Sequence, residues 1–252
     1  MKNQYVGDVG DYGKYALLRE LSRSYSIGVN WYLTRDDDKP DGKFTKYLLK
    51  DNSNLDIELF QKLKGLLYPD EKNLCQENRC ISNIESGNFI PNATFFNEVL
   101  DYVAITDRKT YRDEWIKCSL ERLGDKDIIF LDPDNGLEVK TVPPTRKYGN
   151  KYVTYDEARS YYSRAKVALV IYNHRDHSSE NDYINRFLQF YELEGTRDSF
   201  LYRLTFRKES VRDYVFVTKP KYHKEIGDFI HAFACPARVR YFRYSELPID
   251  KR

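Results

Sequence analysis

No run of about 18 apolar residues occurs anywhere in the 252-residue chain, which excludes a membrane-spanning helix on sequence grounds. The opening segment, residues 1–15, has no apolar core of the kind that a secretory signal carries. Cysteine is scarce, with four residues at Cys75, Cys80, Cys118 and Cys235. Only the first two are close, and no second pair follows at zinc-ribbon spacing. Four unlinked thiols in a reducing, cytoplasmic setting are therefore expected, with a Cys75–Cys80 disulfide as the alternative. Net charge is also nearly lacking, at +2, so overall charge names no partner. There is no internal repeat and no low-complexity tract.

What is present is a core-forming composition. Hydrophobic residues make up 41% and aromatics 15%, which rules out wholesale disorder. The small net charge conceals an asymmetry. From Ser199 to Arg252 there are 12 basic and 6 acidic residues, a balance of +6, against −4 for the rest. Tyr202, Phe206, Tyr214, Phe216, Tyr222, Tyr241, Phe242 and Tyr244 lie among those cations. Cations beside aromatics suit a polyphosphate with exposed bases, and they equally suit a solvated face over a β-rich core.

The order of elements argues for an α/β fold. Asp11 is a candidate N-cap for a first helix carrying Tyr15, Leu18 and Leu21 at helical spacing. A first strand is expected at Ile27–Leu33, then helical pieces from 43 to 68 and from 109 to 123, with an irregular stretch over 69–92. The run Ile128–Leu131 closes on Asp132, and a second apolar run through Ala168–Tyr172 closes on Asn173-His174-Arg175-Asp176-His177. Continuous apolar strands of this kind belong to parallel sheets covered on both faces. Strands alternating with helices of about a dozen residues predict βαβ units. The whole is read as one α/β domain over 1–252, with a mainly helical insertion at about 43–123. Two late strands, separated by Arg207–Arg212, read as an antiparallel pair.

Ligands of open α/β sheets sit beyond the carboxyl ends of the strands. The two most polar strand ends are those at Asp132 and His174, so the candidate site lies between them. Asp132 ends a strongly apolar strand, and Asn135 offers both a donor and an acceptor to a nucleobase edge. A plain turn is the competing reading of Pro133–Gly136. His174 suits acid/base or positioning work, and Arg175 suits a phosphate. The N-terminal Gly7, Gly10 and Gly13, at intervals of three, allow close backbone approach to a ligand or a neighbouring element. Tyr5 and Tyr12 are candidate stacking groups, and Lys14 a candidate partner for phosphate or carboxylate. Asp36, Asp37 and Asp38 read as a solvated loop or a divalent-cation site. The spacing Asp132, Asp134, Glu138, Lys140 leaves open a metal-dependent nuclease.

Asp132-Pro133-Asp134-Asn135 resembles the (D/N)PP(Y/F) motif of class I S-adenosylmethionine-dependent amino-methyltransferases. The order of motifs is similar to ribosomal RNA adenine methyltransferases with an early helical insertion, whose N-terminal GN-x-x-D-x-x-K segment is loosely paralleled by Gly7-Asp8 and Gly10–Lys14. The resemblance implies a Rossmann-like methyltransferase fold, S-adenosylmethionine as cofactor and nucleic acid as substrate. Taken together with the reading of the residues, it gives Asp132, Asn135 and His174 as expected catalytic residues, Gly7, Gly10, Lys14 and Thr34 at the cofactor, and Tyr12 and Arg175 at the substrate. No metal is implied. The chain departs from the motif at Asp134 and Asn135, which replace a proline and the stacking aromatic. It also has no G-x-G in the segment Thr34–Gly42 after the first strand. A catalytically inactive, nucleic-acid-binding member of the fold is therefore the third reading, beside the methyltransferase and the nuclease.

Overall fold

The computed structural model describes residues 1–37, 39–50, 55–235 and 238–247. The elements along the chain are α1 (Val9–Leu21), β1 (Ile27–Asn30), α2 (Ile57–Leu67), α3 (Ile81–Ser86), β2 (Ala93–Phe96), α4 (Arg108–Leu123), β3 (Ile128–Leu131), β4 (Gly136–Leu137), β5 (Tyr152–Val153), α5 (Tyr155–Arg164), β6 (Ala168–His174), α6 (Glu180–Leu188), β7 (Phe200–Phe206), β8 (Arg212–Thr218), α7 (His223–Phe233) and β9 (Phe242–Glu246).

Among the described residues, seven strands form one sheet in the order β2-β1-β3-β6-β8-β7-β9. The β2, β1, β3 and β6 strands run parallel, while β8 is antiparallel to β6 and to β7, and β9 is antiparallel to β7. This is an α/β architecture with a mostly parallel central sheet, compatible with a Rossmann-like fold. The late pair β7 and β8 is antiparallel as expected.

The sheet is buried on both faces, and side-chain alternation along β3 shows why its sequence is continuously apolar. Ile128 and Phe130 enter the core formed with α1, α2, α3 and α7. Ile129 and Leu131 enter the opposite core, formed with α4, α5 and α6. A polar residue at any of the four would strand a polar group without water.

Three expectations change. The first helix begins at Val9, and its N-cap is Asp8, whose side chain accepts the Gly10 N–H at 2.9 Å; Asp11 lies inside the first turn. Residues 43–123 hold helices α2, α3 and α4 but also β2, which pairs with β1 at the sheet edge. That stretch is therefore woven into the central sheet at one point. In the basic C-terminal third, Tyr202, Phe206, Tyr214, Phe216, Tyr241 and Phe242 are buried. Those rings pack the core, so they offer no stacking surface to bases. All four cysteines are free thiols. Among the described residues, no helix is long and apolar enough to cross a membrane.

Candidate active site

In the strand order, β1 lies between β2 and β3, so the chain runs from β1 to a neighbour on one side and then crosses to the other side. Such a reversal opens a crevice at the carboxyl ends of the strands. A cavity of about 760 Å³ lies there, and both Asp132 and His174 line it. The two strand ends picked out by polarity therefore share one crevice.

Asp132 follows β3 directly, and its N–H still bonds the Asn30 carbonyl, so the sheet ladder fixes where its side chain goes. The carboxylate is buried, with Oδ2 2.6 Å from Lys14 Nζ. Lys14 is buried too and pairs with Asp11 at 2.9 Å. Tyr15 donates a hydrogen bond to the other Asp11 oxygen at 3.0 Å. One ammonium thus serves two buried carboxylates. Burial works against the Lys14 charge, but Asp11 and Asp132 outweigh it and hold the ammonium well above its usual range. Burial, with Asp11 adding to it, pushes the Asp132 carboxyl up although Lys14 and the Met1 ammonium pull it down.

Asp134 has the opposite balance. Its Oδ1 is 2.7 Å from the Met1 ammonium and its Oδ2 3.2 Å from Lys151 Nζ. Burial raises its carboxyl, but these two cations prevail and hold it down to about 2. Asn135 lines the cavity; its N–H bonds the Lys151 carbonyl, and its carbonyl accepts from the His174 N–H. The next residue has to be glycine. Gly136 has φ +110°, and a Cβ there would lie 1.9 Å from Asn173 Oδ1, which accepts the Leu137 N–H.

His174 ends β6 at the cavity, exposed at its tip. The protein crowded around it, then the Arg212 charge, draws its imidazole below the usual range. Arg212, the first residue of β8, is its direct cross-strand partner. Arg212 Nη2 pairs with Asp8 at 3.1 Å, and Asp8 also accepts the Phe44 N–H at 3.1 Å. Tyr172 lies two residues before His174, on the same face of β6, and lines the same space.

Other expected site residues lie elsewhere. Gly7, Gly10, Tyr12, Thr34 and Arg175 are not in the cavity wall. A Cβ on Gly10 would come within 2.1 Å of Arg212 Cζ, and one on Gly13 within 2.4 Å of the Phe206 ring. The glycine spacing therefore serves helix-on-strand packing. Gly7, at φ +77°, faces Leu67. The Tyr12 hydroxyl bonds the backbone of Asp56, and its ring packs on Tyr47 and Phe60. Arg175 turns to Glu180 and lies over the Tyr183 ring. Thr34 is buried, with its N–H on the Met1 carbonyl.

The nuclease spacing does not converge. Glu138 accepts the Tyr155 N–H at 2.7 Å, and neither it nor the exposed Lys140 reaches the cavity. Asp37 pairs with Lys2, and Asp36 accepts the Gln4 N–H; Asp38 lies outside the described residues. Among the described residues, no group of three or more His, Cys, Asp or Glu side chains is arranged to hold a metal ion.

Sequence reasoning missed Tyr172, Lys151, Arg212 and the Lys39–Phe44 strap. Only Tyr172 carried a usable signal, the period of two along β6. Arg212 becomes visible once the β6–β8 register is known. Compared with known proteins, the chain matches no protein-family model, no curated protein and no solved structure.

Proposed function

We propose that the cavity over Asp132 takes a nucleobase of a nucleic acid, with the chain either a methyltransferase-like enzyme or a binding module of that fold. The observation that carries this reading is the buried Asp132 carboxylate at the carboxyl end of a central strand, opening onto a cavity of about 760 Å³. Cavities of some hundreds of Å³ suit ligands of nucleotide size. Asp132 accepts a hydrogen bond from an exocyclic amine, and Lys14 fixes the carboxylate rotamer and supplies the compensating charge. Tyr5, Tyr148 and Tyr152 in the wall offer ring faces in place of the aromatic missing at Asn135.

S-Adenosylmethionine, the cofactor implied by the resemblance, finds no fitting residues after the first strand. Trp31 and Tyr32 fill that turn with fully buried rings, Trp31 stacked on Phe95 and Tyr32 edge-on to Trp115. No residue from 27 to 34 faces the cavity. A cofactor needs bare backbone there, and these buried rings leave none. The filled turn favours a second reading, a nucleic-acid-binding member of the fold that performs no methyl transfer.

Isothermal calorimetry with S-adenosylmethionine in EDTA, together with methyl transfer to RNA and single-stranded DNA, separates the two. Cofactor binding and transfer that is lost in Asp132→Ala support the enzyme. Retained nucleic-acid binding with neither signal supports the binding module. Absence of nucleic-acid and nucleotide binding sinks both.

A further inference from the structure

The charges in the cavity wall are not equally committed. Asp11 and Asp132 share Lys14, and Asp134 holds the Met1 ammonium and Lys151. Asp8 caps α1 and takes one arm of Arg212. The other arm, Nη1 of Arg212, is buried against Gly10 with no hydrogen bond of its own, and the Tyr172 hydroxyl lies beside the same guanidinium. A buried donor left unmade costs about 1–3 kcal/mol, so an unmatched guanidinium arm beside a cavity marks a place for an acceptor. The missing Cβ of Gly10 gives that guanidinium its seat against α1.

The surroundings say which acceptor. His174 stands opposite Arg212 in the β6–β8 ladder, and Ser210 lies just before it in the wall. Lys39 and Lys43, exposed on the Lys39–Phe44 strap that lines the cavity, form no ion pair among the described residues. Asp41 is the acid of that strap. A guanidinium arm, an imidazole, a hydroxyl and two ammonium groups match the tetrahedral oxygens of a phosphate.

We propose that the β8 wall of this cavity is a phosphate subsite, in which the Arg212 guanidinium and His174 grip a phosphate group of the ligand while Lys39 and Lys43 close over it. This deepens the reading above and rests on the cavity being the ligand site. The phosphate belongs either to a free nucleotide or to a nucleic-acid backbone.

Adenosine, adenosine 5′-monophosphate and a single-stranded oligoadenylate serve as probes, with binding followed by calorimetry and the His174 ring by NMR. The groups facing His174 are Arg212 on β8, Asp41 on the strap, and Asp176 and His177 on its own loop. The expected result is that the phosphate-bearing probes bind at least tenfold more tightly than adenosine and raise the His174 titration midpoint. Arg212→Gln abolishes that preference, and Arg212→Lys, checked by thermal unfolding, weakens it while keeping the charge opposite Asp8. Preference for the monophosphate assigns a free nucleotide, and preference for the oligomer assigns a backbone. Equal binding of adenosine and its monophosphate, a His174 midpoint unmoved by either phosphate probe, or no binding of any probe overturns the subsite. Methyl transfer does not enter these measurements, so its failure leaves this outcome readable.

Discussion

Lys14 and Asp132 are unequal partners, and their replacement should show it. Removing one member of a buried ion pair costs about 3–5 kcal/mol because the other charge is left without compensation. Lys14→Met strands Asp11 and Asp132 together, so urea unfolding should show a loss in that range. Asp132→Asn leaves Lys14 paired with Asp11 and removes a carboxylate whose ionised form burial disfavours. Its stability should match or exceed that of the parent, which the same urea titration checks. Asp134 adds a pH signature of known sign. Its folded value of about 2 lies below the unfolded value of about 3.9, so its contribution is complete above the latter. That contribution fades as acid takes the pH from about 4 towards 2. Unfolding midpoints measured over this window should fall more steeply for the parent than for Asp134→Asn.

At the scale of elements, the helix–strand contact at α1 decides between two effects. Alanine is better than glycine inside a helix by about 1 kcal/mol. Yet a Cβ on Gly13 would sit 2.4 Å from the Phe206 ring, and that ring is fully buried with no room to retreat. Overpacking costs about 1–3 kcal/mol. Gly13→Ala should therefore lower the thermal midpoint despite its better propensity. The same contact explains what the sequence could convey. Continuous apolar strands such as Ile128–Leu131 announce themselves, because burial on both faces leaves no polar position. The triplet spacing of Gly7, Gly10 and Gly13 announces close approach but not to what, since Phe206 and Arg212 lie some 200 positions away. The Ala93–Phe96 strand was hidden for another reason. Four residues at a sheet edge, three of them only half-buried, leave too short a pattern to tell from a loop. Asp11 is the cap the sequence suggests, but Asp8 takes that place, accepting the Gly10 N–H and also holding the Phe44 N–H and Arg212.

For the whole molecule, charge balance and binding surface are separate matters. The last third carries the excess of cations, yet most of its aromatics are in the core, so composition there locates no interface. The strap cations Lys39 and Lys43 come from a part of the chain with a net negative balance, and they stand at the cavity mouth. Each phosphate contact that releases a counterion from a single strand contributes about 0.7 to the slope of log affinity against log salt. If nucleic acid enters over the strap, Lys39→Gln with Lys43→Gln should lower that slope by about 1.4. The paired control, Lys221→Gln with Lys224→Gln, removes two exposed cations near α7, outside the cavity wall. It should leave the slope unchanged. Fluorescence anisotropy with a single-stranded oligonucleotide at several salt concentrations reads both. The reverse pattern, with the α7 pair carrying the slope, would move the nucleic-acid surface to the basic C-terminal third and detach it from Asp132.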